Sequence, residues 1–72
     1  MNVWIDDTSV YIRLKNGKVF ARHFADFPLL RKATAEQRAN FKWGKQGIRW
    51  ENIDEDLSYD GFINPVKNHN WV

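Results

Sequence analysis

The sequence contains no cysteine, one methionine, two prolines and four glycines in 72 residues. Without cysteine there is neither a disulfide staple nor a thiolate zinc site. No apolar run approaches the roughly 18 residues that span a bilayer, and the start MNVWIDDTSV has no charged leader followed by an apolar stretch. A cytoplasmic protein is therefore expected. Phosphate-binding glycine loops are absent too, since Gly44 and Gly47 flank a hairpin turn. Ser9 and Ser58 lack the G-x-S-x-G setting of an activated nucleophile. The only histidines, His23 and His69, are too far apart to show a zinc-ligand spacing. The expectation is a protein that is not an enzyme and carries no cofactor or metal.

Eleven aromatic residues are present, four of them Trp, which is a large apolar supply for so short a chain. The length allows one domain, expected over residues 1–63, with 64–72 as a loose tail. Charge is unevenly spread. Thr8 to Arg49 holds ten Lys or Arg against Asp26 and Glu36, whereas Glu51 to Asp60 holds five acids and no base.

Strand periodicity dominates the first third. Val10, Ile12 and Leu14 alternate with Tyr11, Arg13 and Lys15, the pattern of a half-buried strand. VWID reads as a strand before it, and KNGK as a hairpin turn. A two-residue turn would set Val19, Ala21 and His23 beside the apolar positions. A three-residue turn with Gly17 left-handed would set Phe20, Arg22 and Phe24 there instead. Two Phe bury far more area than Val plus Ala, which favours the bulged turn. Arg22 is then the misfit, expected near the sheet edge with its stem packed and its head in water.

Pro28 suits the first position of a short helix running to Ala33. Thr34 and Gln37 form a capping box for a second helical turn, 35–39. FKW and GIRWE flank GKQ as a second hairpin, with Trp50 expected to anchor the core. NIDED reads as a turn, and Ser58 as the N-cap of a last helical turn ending near Ile63. The whole is α+β: a small antiparallel sheet of about four strands in two hairpins, with short helices.

The segment DLSYDGFINPVK places Asp56, Ser58, Asp60 and Gly61 at EF-hand positions 1, 3, 5 and 6. Calcium is still not expected. Position 12, which must be a bidentate Glu, is Lys67, and position 10 is Pro65.

The ordered set Gly17, Phe27-Pro28, Leu30, Ala33-Thr34, Glu36, Arg38, Gly47-Ile48, Trp50 and Ile53-Asp54-Glu55-Asp56-Leu57-Ser58 resembles the small bacterial domain-of-unknown-function family twenty-four forty-two, over roughly residues 8–63. Arg22 departs from it, standing where an apolar residue is common, and the link between NFKW and GIRW is short. The resemblance implies an α+β fold and no established activity. Family genes often lie beside a small partner of domain-of-unknown-function family forty-one sixty, which implies a toxin–antitoxin-like pair.

Two surfaces are candidates for function. The acids Glu51, Asp54, Glu55, Asp56 and Asp60 are expected to dock one small basic partner protein. The alternative is nucleic-acid binding along the hairpin faces by Tyr11, Arg13, Lys15, Lys42, Lys45 and Arg49, since bases stack on aromatics and phosphates seek cations. Against each stands an ordinary solvated surface: a capping turn at Asp54 and a polar outer sheet face.

Overall fold

The computed structural model describes residues 1–64. The expectation of a loose tail falls, Asn64 apart, outside these residues, as do His69 and Lys67. The fold is α+β, with two three-stranded antiparallel sheets, each joining strands that are neighbours in sequence. The first holds β1 (Asn2–Ile5), β2 (Ser9–Arg13) and β3 (Val19–His23). The second holds β4 (Lys42–Trp43), β5 (Gly47–Trp50) and β6 (Glu55–Ser58). Between and after them lie the helices α1 (Pro28–Lys32), α2 (Ala35–Ala39) and α3 (Tyr59–Ile63). No helix among the described residues is long and apolar enough to cross a membrane.

The first hairpin turns through Asp6, whose carboxylate accepts the Thr8 and Ser9 backbone N–H groups, each at 2.9 Å. This is the local bonding for which Asp is favoured at the start of a turn. The second turn is the bulged one. The Leu14 N–H donates to the Lys18 carbonyl at 2.9 Å, and Gly17 takes φ 92°. That φ costs a residue without Cβ nothing. Ile12 therefore opposes Phe20, and Val10 opposes Arg22.

Arg22 corrects one expectation. It does lie on an edge strand, but its head is not left in water. Nη1 donates to the Gly61 carbonyl in α3 at 2.7 Å, and the guanidinium sits 4.7 Å from the Phe27 ring centroid and 5.9 Å from that of Phe62. A cation over aromatic faces keeps its charge satisfied while its stem packs. Arg22 thus fastens the last helix to the first sheet.

The helices start where local chemistry dictates. Pro28 occupies the first turn of α1. At α2 the Thr34 hydroxyl accepts from the Gln37 N–H at 3.1 Å while the Gln37 side chain accepts from the Thr34 N–H at 2.9 Å. The Ser58 hydroxyl caps α3 by accepting from the Gly61 N–H.

The DED segment corrects a second expectation. Only Glu51–Ile53 and Asp54 form a turn, a 3-10 turn closed by Asp54 in the left-handed region at φ 55°. From Glu55 the chain is strand β6, because Leu57 reaches the core opposite Ile48. With β6 included, the sheets hold six strands among the described residues, where about four were expected.

One apolar cluster joins both sheets. Val3, Val10 and Ile12 come from the first sheet, and Ile48, Trp50 and Leu57 from the second. Phe24, Leu30 and Phe62 fill the space from the helical segments. Trp50 and Ile48 are fully buried, and each side chain so removed from water contributes about 1.5–3 kcal/mol. The Trp50 indole N–H donates to the Arg38 carbonyl at 2.9 Å, not to the acidic turn that follows it in sequence.

Candidate functional site

The outer face of the second sheet carries its charged residues because core and solvent positions alternate along β5 and β6. Ile48 and Trp50 point inward, so Arg49 points out. Its cross-strand neighbours on that face are Lys42 on one side and Asp56 on the other. The Arg49 guanidinium then meets three carboxylates. Nη2 lies 2.6 Å from Asp54 Oδ1, Nη1 lies 2.9 Å from Asp56 Oδ2, and Nε lies 3.5 Å from Glu51 Oε1. The hydrogen bond that Arg49 donates to Asp54 and the charges of Glu51, Asp54 and Asp56 strengthen the hold of Arg49 on its proton.

All four side chains stay open to water, with Asp54 87% and Asp56 69% exposed. Such pairs contribute little to stability. What they fix is position. Three acids against Arg49 leave two negative charges in excess, or one when Lys42 is counted. Beside Arg49 the face dips at Gly47, where a Cβ would stand 2.2 Å from the Leu57 carbonyl oxygen. The result is a shallow groove running over Gln46, Gly47 and Ser58, with Asp56 on its rim.

Glu55 and Asp60 do not join this cluster's ion pairs. Glu55 opposes Trp50 on the other face of β6, and its carboxylate accepts the Asp56 N–H at 3.0 Å. Asp60 lies in the first turn of α3. The EF-hand-like spacing is thus spread over a strand, a cap and a helix. Asp54 is not the N-cap of a helix; it closes the 3-10 turn through its backbone N–H, and one oxygen of its carboxylate accepts from Arg49.

The basic stripe is divided in the same way. Tyr11 and Arg13 share the outer face of the first sheet, with Lys15 in the adjoining turn. Lys42 and Arg49 belong to the second sheet, Lys45 to its turn. Arg49 is drawn into the acids rather than left for phosphate.

Three groups escaped the sequence reading. Trp4 stacks on Tyr11, with ring centroids 5.4 Å apart and planes at 9°. Alternation in VWID was the available signal, but it leaves the choice of face open until the register is known. The Tyr11 hydroxyl donates a short hydrogen bond to Asp6, which lowers the Asp6 pKa and raises that of Tyr11. Arg38 donates to the carbonyls of Leu30, Arg31 and Asp7 at 2.9, 3.1 and 3.3 Å, with its guanidinium over Phe24. At the end of α1 it reaches the Arg31 carbonyl and adds a second bond to the Leu30 carbonyl, which already accepts from the Ala33 N–H at 3.2 Å.

Residues 1–68 match the family described as Protein of unknown function (DUF2442). Comparison with curated proteins and with solved structures gives no match.

Proposed function

The chain belongs to the DUF2442 family, and within it we propose a small non-catalytic protein-interaction module of the cytoplasm, the antitoxin-like member of a pair, that binds one small basic protein. The observation that carries this reading is the set of carboxylates held around Arg49 on an exposed sheet face. Arg49 uses one oxygen each of Asp54 and Asp56, leaving the outer oxygens for a second cation. An Arg from a partner would bond them without first ordering the side chains. The pairing itself draws its support from the gene neighbourhoods of the family.

Phosphate binding along both hairpins is less favoured, since Arg49 already faces three acids. The two readings separate in a pull-down of the full chain at low and moderate salt, with and without nuclease. One stoichiometric basic protein should survive nuclease and be lost in an Asp54→Lys, Asp56→Lys variant that still folds. Recovery of the same protein by that variant would sink the proposal. Capture of nucleic acid alone, lost with salt, would replace it.

A further inference from the structure

The outer face of the first sheet offers a second, independent surface. Trp4, Tyr11 and Ala21 lie side by side across its three strands. The Trp4 and Tyr11 rings are parallel, so their faces look across the strands. One face of Tyr11 covers Trp4. The other looks toward β3, where its direct neighbour is the exposed Ala21, flanked on the same face by Val19 and His23. A shelf one strand wide results, with Tyr11 as its wall and Ala21 as its floor. The bond from the Tyr11 hydroxyl to Asp6 holds that wall in place.

Charge of both signs flanks the shelf, with Asp6 at the Tyr11 hydroxyl and cations at the other end. The Arg13 guanidinium sits 5.5 Å from the Trp4 ring centroid. Unlike Arg49, Arg13 has no ion pair among the described residues, and the same holds for Lys15 and Lys18 in the adjoining turn. The nearest acid on this face, Asp6, is engaged at the opposite end.

We propose that this shelf takes a nucleobase of single-stranded nucleic acid, stacked on Tyr11 over Ala21, with the flanking phosphate on Arg13. A flat ring fits a wall and floor of this kind whatever its hydrogen-bonding edge. Aromatic stacking with nearby cations and no base-edge readout is the chemistry of sequence-tolerant single-strand binding. The proposal does not depend on the acidic face of the second sheet.

The test is fluorescence anisotropy of a labelled oligouridylate with the full chain at low salt. Saturable binding is expected, falling steeply with salt. Ala21→Leu fills the shelf without touching a charge, and Arg13→Glu reverses the phosphate contact. Each should weaken binding about tenfold, the scale of one lost stacking or phosphate contact. Tyr11→Phe keeps the stacking face and loses only the bond to Asp6, so it should bind clearly better than Tyr11→Ala, a comparison independent of how well Ala21→Leu folds, and equal affinities of the two would overturn the stacking. No binding by the parent would overturn the proposal. So would an unchanged affinity in folded Ala21→Leu, or competition by polyglutamate as effective as by unlabelled oligouridylate, which would mark a merely cationic face suited to an acidic protein.

Discussion

Trp50 and Arg38 are joined across the core by the indole N–H donating to the Arg38 carbonyl at 2.9 Å, so the largest buried side chain also holds the end of α2. Trp50→Ala should cost about 3–5 kcal/mol, against a total near 5 kcal/mol for a domain of this size. The variant is expected to be largely unfolded by circular dichroism. Trp50→Phe keeps most of the packing but orphans the carbonyl, at about 1–3 kcal/mol. A Trp50→Ala chain with a parental urea midpoint would refute the anchoring role.

Arg38 bonds three carbonyls at once. The donors are three separate nitrogens spread over the planar fork, which the single nitrogen of an ammonium does not reproduce, so Arg38→Lys should recover little of what Arg38→Ala loses. A loss of about 1.5–3 kcal/mol is expected for either, read from thermal melts. Full recovery by Lys would mean that charge alone matters there.

Gly47 and Gly44 flank the same turn but differ in their surroundings. A Cβ at Gly47 would meet the Leu57 carbonyl oxygen at 2.2 Å, whereas at Gly44 nothing lies within 4 Å. Gly47→Ala must push β5 and β6 apart, at about 1–3 kcal/mol. Gly44→Ala should change stability by less than about 0.5 kcal/mol. Equal melting temperatures for the two variants would contradict the packing of the second sheet.

The Asp6–Tyr11 bond predicts a pH window. The Asp6 pKa is lowered, chiefly by the Tyr11 hydroxyl and then by the Thr8 N–H. Its contribution is therefore present above the unfolded carboxylate pKa and lost as pH falls through the lower folded value. The Tyr11 pKa is raised, chiefly by Asp6, so its contribution is present below the unfolded phenol pKa and lost as pH rises through the higher folded one. Tyr11→Phe should abolish the alkaline limb of a stability-versus-pH curve and shrink the acid limb, which the Thr8 and Ser9 N–H groups still maintain in part. Retention of both would assign them to other groups.

Much of this was legible in the sequence. The ordered motifs from Phe27-Pro28 to Leu57-Ser58 placed the chain in its family, and the match extends beyond them to residues 1–68. Volume chose the bulged turn at Gly17, because Phe20 demands burial that Val19 does not. The capping box at Thr34 is a local event and needs no tertiary information. Strand β6 was hidden, because Glu55 and Asp56 have the composition of a turn and only Leu57 signals a core position. Missing β6 also concealed the setting of Arg49. Its charge looked free because the register that brings Asp56 beside it depends on that strand. The Trp50 partner was equally out of reach, since a carbonyl twelve residues upstream leaves no local signature.

Because every ladder among the described residues joins strands adjacent in sequence, each sheet can close through short loops with little entropic delay. The slow event is left to the meeting of the two halves. Contacts such as Arg22 to Gly61, 39 positions apart, form only then. In stopped-flow folding, Arg22→Ala should mainly accelerate unfolding and leave the refolding rate nearly unchanged. The persistence of the folded protein then depends on a few late fastenings between two quickly made halves.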